Sequence, residues 1–278
     1  VGNGNALSVT GNAVFGDGVA DTLTGLSSLA VSGTTVLNTR ALSTTGAQSY
    51  SGVLTLGADS TLSGVGITVG GVLKSDGTNR SLVINDAGAT VLSGVVGSSS
   101  TVGEKLSSLS TDAAGSTVIN GGGVYTTQAQ TYADNLALGA GTSLSGSAVS
   151  TLGTVVGNGN ALSVTGNAVF GDGAVDLVTN LTSLFINGND GDVSIGSTVQ
   201  MIDQGSTVRI IAPTGNVILQ SGASIQVAGQ SPSVGVGAIN IVAQRFSNFA
   251  GPGAFVLTAP SARWLVYTQS PQGDTKNG

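Results

Sequence analysis

The stretch "VGNGNALSVTGNAVFGDG" spans residues 1–18 and returns letter for letter as residues 156–173. A catalytic site has to be made once, whereas a stacking unit is made again at every level, so an unbroken duplication points first to repeat architecture. Its Gly, Asn and Asp residues supply the positive φ angles of tight turns, and its Val and Thr residues suit a pleated, half-buried backbone.

Working outward, the rest of the chain repeats too. "TTGAQSYSGVLTLGADSTLSG" at 44–64 aligns with "TTQAQTYADNLALGAGTSLSG" at 126–146, a shift of 82 residues. "LSSL" at 26–29 returns at 106–109, and "GTTVLN" at 33–38 returns as "GSTVIN" at 115–120. These matches define modules of roughly eighty residues that open near Leu7, Leu82 and Leu162, with the third diverging after Leu184.

Inside a module, apolar residues such as Val53, Leu54 and Leu56, or Val83 and Ile84, alternate with polar ones between Gly, Asn or Asp clusters. Period two means strands. Parallel strands need long crossovers, and a solenoid supplies them by winding: three short strands and three turns form a coil of about 20 to 25 residues, each strand pairing with its equivalent one coil on. The expected fold is therefore all-β, a right-handed parallel β-helix of about 12 to 13 coils, with about four coils to a module. A pair of antiparallel sandwich domains is the rival, but it wants an aromatic-anchored core, and aromatics are only 4% of this chain.

Composition agrees with that alphabet of strands and turns. Gly accounts for 45 of 278 residues, charged residues for 8%, and Glu104 and Met201 are the only residues of their kinds, so almost no α-helix is expected. A hydrophobic fraction of 40% is enough to build a core. The net charge of −6, with Arg40, Arg80, Arg209, Arg245 and Arg263 scattered singly, leaves no basic stripe for nucleic acid. No run of eighteen apolar residues suggests a membrane span, and no signal-peptide pattern opens the chain. Val1 in place of an initiating methionine suggests a piece or a processed product of a longer chain.

Residues 1–184 are thus read as the repetitive modules, 185–269 as less regular coils and a cap, and 270–278 as a tail or linker. All five prolines, Pro213, Pro232, Pro252, Pro260 and Pro271, lie in the last third, where strand patterns persist in "STVRIIA", "NVILQ", "ASIQVAG", "GAINIVAQ", "GAFVLTA" and "RWLVYTQ". Proline there marks corners, and Phe246, Phe249, Phe255, Trp264 and Tyr267 are bulky enough to plug the end of a core. Trp264, in an alternating strand, reads as such a plug rather than as a ligand platform.

The chain has no histidine and no cysteine, which excludes Ser-His-Asp and Cys-His catalysis and His- or Cys-based zinc sites. Paired carboxylates remain for hydrolysis: Asp17 with Asp21, Asp172 with Asp176, and Asp190 with Asp192. Short Asp residues in Gly-rich turns ordinarily bond their own backbone, and the recurrence of "FGDG" favours that simpler role. "GDGVADTLTG" at 16–25 resembles a calcium-binding nonapeptide, but it carries an inserted residue and no second copy in register, and "NGNDGD" at 187–192 is no better. No catalytic, cofactor or metal residue is therefore assigned. Ser, Thr and Asn ladders could hold glycans weakly, with Tyr50, Tyr125 or Tyr132 as stacking platforms, or simply solvate the surface.

The closing stretch "GPGAFVLTAPSARWLVYTQSPQGDT", residues 251–275, resembles a recurrent segment of the filamentous-haemagglutinin-type exoproteins, through Ala259, Pro260, Arg263, Trp264, Leu265, Val266, Tyr267, Pro271, Asp274 and Thr275. "TTGAQSYSGVLTLGADSTLSG" is similar to repeats of the same family, which includes biofilm matrix adhesins. The resemblance implies a right-handed β-helix stalk exported by two-partner secretion to the surface of a Gram-negative bacterium. It implies further modules of a longer parent chain, an outer-membrane transporter as partner, and attachment to extracellular polysaccharide or neighbouring cells. It brings no catalytic residues, so a non-enzymatic stalk is expected. The alternatives are a polysaccharide lyase or depolymerase, which would gather carboxylates and arginines on one face, and a self-assembling filament subunit whose unpaired end strands stack.

Overall fold

A computed structural model describes residues 1–173, 175–201, 205–228 and 237–277. Pro232 and Gly278 lie outside the described residues. The described residues form a β-solenoid of parallel coils, about 11 turns in all, with no α-helix and two short 3-10 turns at Val102–Glu104 and Pro271–Gly273. The chain divides into two compact units, Val1–Ala140 and Gly141–Gly278.

In the first unit each coil has three sides. One side stacks Asn5–Val9, residues 26–31, Gln48–Tyr50, Ile67–Val69, Ala89–Leu92, Ser116–Ile119 and Asn135–Leu138 in parallel. The next stacks Ala13–Phe15, Thr35–Leu37, Leu54–Leu56 and Leu73–Ser75, continued by bridges through Val96 and Val124. The third runs from residues 22–23 through Ala41–Thr44, Ser60–Gly64, Leu82–Asp86 and Leu109–Thr111 to Ala129–Tyr132.

Alternation along each strand puts every second side chain inside, and parallel register puts like positions above one another. Val31, Tyr50, Val69, Leu92, Ile119 and Leu138 form one such row, each at most 1% exposed. Fully burying a Val, Leu or Ile side chain contributes roughly 1.5–3 kcal/mol, so these rows, together with the backbone ladders, hold the coils together.

The count of about 11 turns is below the expected 12 to 13, and the coils are uneven. Leu7 faces Leu29, Leu29 faces Gln48 and Gln48 faces Ile67, steps of 22, 19 and 19 residues. Val91 faces Val118, a step of 27 residues, since the turn around Val102–Glu104 carries extra chain outward without disturbing the ladder.

The 82-residue repeat also differs from the expected four whole coils. Gln48 belongs to the first side, whereas its equivalent Gln130 belongs to the third, and "GTTVLN" on the second side matches "GSTVIN" on the first. The repeat therefore advances three coils and two sides. What is repeated is a strand with its corner, and any side of the coil accepts it.

The second unit keeps the three-sided plan. Residues 142–145, 162–165, 183–187, 207–211, 239–243 and Trp264–Thr268 stack along one side. Residues 148–151, 168–170, Val193–Ile195, 217–219 and 246–248 stack along the next. The third runs from 155–156 through 177–179, Thr198–Met201 and Ser224–Val227 to Phe255–Leu257. The sequence reading places a tail or linker at 270–278, but Thr275 pairs with Ser247 as a last rung of the second of these sides. Asp274 secures it, accepting from the Phe246 amide at 2.9 Å and from the Thr268 hydroxyl at 2.8 Å.

Candidate functional site

The candidate site lies in the second unit at its outermost described rung, where one inward row on each side of the coil carries an aromatic ring. Ile225 is followed by Phe255, Ile239 by Trp264 and Val217 by Phe246, one ring from each side of the coil. Phe255 lies 5.8 Å from Phe246 and 5.4 Å from Trp264 between ring centroids, within the range of favourable aromatic pairing. Beside them is a pocket of about 360 Å³ lined by Phe246, Asn248, Phe255, Trp264, Thr268 and Asp274, among others.

The sequence reading makes Trp264 a buried plug. Its strand does place it in the inward row, but the indole is 52% exposed, because it stands on the outermost described rung of that side. The row through Phe170, Ile195 and Leu219 ends differently, on buried Asn248. Asn248 donates through Nδ2 to the carbonyls of Gly251 and Lys276 and accepts from the Gly251 amide, so the amide fastens the last rung. The Arg-Trp-Leu-Val-Tyr and Asp-Thr residues that carry the family resemblance are thus the last strand and its fastening.

Of the carboxylate pairs, Asp21 and Asp176 bond turn amides, and Asp190 and Asp192 bond the next coil. Asp21 Oδ2 accepts from the amides of Asp17 and Gly18 at 2.9 and 3.1 Å. Those two amides, Asp17 first, hold the Asp21 carboxyl below the usual carboxylate range. Asp176 accepts in the same way from the Asp172 amide. Asp190 accepts from the Thr214 hydroxyl, and Asp192 from both nitrogens of Asn216 one coil on. Among the described residues no group of three or more acidic, His or Cys side chains comes together. Of the arginines, Arg80 pairs with Asp76 at 3.1 Å and Arg209 lies over the Phe185 ring, 5.5 Å from its centroid.

Tyr50 and Tyr132, two of the residues weighed as glycan platforms, are wholly buried. Each donates its hydroxyl to the buried glutamine two residues earlier, Tyr50 to Gln48 at 2.9 Å and Tyr132 to Gln130 at 3.0 Å. Gln48 Nε2 donates to Thr44 Oγ1 and the Ser63 carbonyl, and Gln130 Nε2 donates to Thr126 Oγ1 and the Val124 carbonyl. Burial raises both phenols above the ordinary tyrosine range. The motif Thr-x-x-x-Gln-x-Tyr is therefore an internal polar clasp, made on two different sides of the coil. Tyr125, the third residue weighed for that role, is half-buried with its ring over Gly123.

Two buried carboxylates escape sequence reasoning. Asp86 accepts from the amides of Gly66, Ile67 and Gly88 and from the Thr90 hydroxyl, all at 2.7–2.9 Å. Asp134 accepts from the hydroxyls of Thr111 and Thr117 at 2.8 and 2.7 Å, and burial pushes its carboxyl above the usual range. The Asp-x-Gly at 86–88 is a weak corner signal that could have flagged the first; nothing local marks the second. No helix among the described residues is long and apolar enough to cross a membrane.

The chain matches no protein-family model, no curated protein and no solved structure.

Proposed function

We propose that this chain is a structural stalk segment of a secreted, surface-attached bacterial adhesin of the filamentous-haemagglutinin type, non-enzymatic and supporting attachment to cells or biofilm matrix. One observation carries the reading: the carboxylates of Asp21, Asp176, Asp190 and Asp192 are tied to backbone amides and hydroxyls of their own or the next coil, as the joints of a scaffold are. The sequence resemblance at 251–275 supplies the adhesin context, with two-partner secretion and an outer-membrane transporter belonging to the same proposal.

Incubating the purified chain with a panel of microbial polysaccharides, and assaying for new reducing ends and unsaturated products, separates this reading from that of a lyase or depolymerase. A stalk gives neither product. Turnover of any polysaccharide would replace the stalk with the enzyme. Carrying the chain between an outer-membrane anchor and an epitope tests the rest: a stalk keeps the epitope open to antibody on intact cells.

A further inference from the structure

Charge is scarce on this chain, so an unpaired charge on its surface calls for a reason. Residues 183–187, 207–211 and 239–243 form three consecutive rungs on one side of the second unit, and Arg209 is their only charged residue. It is exposed and forms no ion pair among the described residues. Its guanidinium lies over the half-buried ring of Phe185 on the rung before, 5.5 Å from the centroid. A guanidinium stacked on a ring is held in place while its N–H edge stays free to bind.

The surroundings of this pair are donors. Ser183 and Asn187 flank Phe185 along its strand, and Thr207 shares the strand of Arg209. Asn187 spends its Oδ1 on the Asn189 amide at 3.1 Å, which leaves its Nδ2 as the group it has to offer. The next carboxylates along the chain, Asp190 and Asp192, are bonded to Thr214 and Asn216. The patch is therefore rich in hydrogen-bond donors and contains no anion to meet them.

We propose that Arg209, with Phe185, Ser183, Asn187 and Thr207 around it, binds a uronic-acid unit of an acidic polysaccharide. The guanidinium takes the sugar carboxylate through two parallel N–H···O bonds, and the neighbouring hydroxyl and amide groups meet the sugar hydroxyls. An acidic peptide is a poorer occupant. The backbone groups of these rungs are already used between coils, so the face has side chains alone to offer and nothing for a peptide main chain. The net charge of −6 opposes diffuse attraction of any polyanion, so binding has to come from a local site. The inference goes beyond the stalk assignment and does not rest on it, since a stalk without this ligand is still a stalk.

The test titrates the isotope-labelled full chain with trigalacturonate at low ionic strength and follows its amide signals and the Arg209 Nε–H by nuclear magnetic resonance. Saturable shifts should gather at 183–187 and 207–211. Maltotriose, which has sugar hydroxyls without carboxylates, should leave the same signals unmoved. Arg209→Gln should weaken binding by about tenfold or more while signals outside the patch keep their positions, which shows that the variant is folded. Arg209→Lys should recover only part of the loss, because an ammonium has no planar fork. Arg245→Gln removes an exposed arginine outside the patch and should bind as the parent chain does. Absence of saturable shifts, shifts centred elsewhere, or binding that survives Arg209→Gln overturns the proposal. An equal loss with Arg245→Gln also overturns it, because general charge would then be what binds. Equal binding of an aspartate tripeptide overturns the choice of a saccharide.

Discussion

Residues 1–18 and 156–173 are one sequence in two settings, and the comparison separates what the letters dictate from what the neighbours add. Local geometry is the same in both. Asn3 and Asn158 both have φ of 52°, Gly4 and Gly159 lie at 79° and 78°, and Asn5 and Asn160 each return a side-chain bond to the glycine carbonyl three residues earlier. Burial is not the same: Phe170 is sealed at 1% and Phe15 is half-buried. Conformation therefore resides in the eighteen residues, and most of their stabilising energy resides in the coils on either side.

The largest break in that comparison should come from Phe170→Ala and Phe15→Ala. Removing a sealed ring costs about 3–5 kcal/mol, and removing a half-exposed one in an unfinished row costs far less. Urea unfolding followed by far-ultraviolet circular dichroism should show a large shift for the first variant and a small one for the second. Equal shifts would mean that the coil holding Phe15 is as well supported as the coil holding Phe170. A smaller effect comes from the polar clasp. Tyr132→Phe removes the hydroxyl that donates to buried Gln130 Oε1, a loss of about 1 kcal/mol, and Tyr50→Phe should cost about as much although its clasp lies on another side of the coil. A mismatch between the two would show that the sides are not interchangeable.

Much of the fold was legible because a solenoid is written locally. Period-two alternation and regular Gly, Asn and Asp corners specify strand, turn and winding within some twenty residues. The coil count and the side on which a repeat lands were not legible, because both depend on how far corners such as the one around Val102–Glu104 bulge before the chain rejoins its ladder. The burial of Tyr50 and Tyr132 was not legible either, for a related reason. A Gln-x-Tyr pair looks amphipathic in sequence, and only the threonine corner four residues earlier, brought inside by the coil, gives the glutamine partners enough to be buried. Trp264 was placed in its inward row by alternation, whereas its exposure depends on what stacks upon its rung.

Asp134 extends the comparison from packing to charge. Its folded carboxyl titrates above the unfolded value of 3.8, so the folded state holds the proton more tightly. The contribution of this group is therefore fully present below that value and is lost as pH rises through the raised folded value. Its slope is at most about 1.4 kcal/mol per pH unit. Asp134→Asn keeps an acceptor oxygen for one threonine hydroxyl, while the other can rotate to accept from the new amide, and should flatten this part of the stability curve, measured as urea midpoints between acid and neutral pH. An unchanged slope would place the titration elsewhere.

The smallest effects should come from the backbone itself. Asn3 and Asn158 hold the left-handed region in both copies, a conformation that asparagine tolerates better than other side chains. Replacing either with alanine should cost about 1 kcal/mol, and replacing either with glycine should cost little or nothing. Because the strain is local, the two alanine variants should lose equal stability despite the difference in burial around them, in contrast to the two phenylalanine variants. If Asn158→Ala instead proved much the more costly, the corner geometry would be imposed by the stacked coils, and the eighteen residues would not carry their conformation alone.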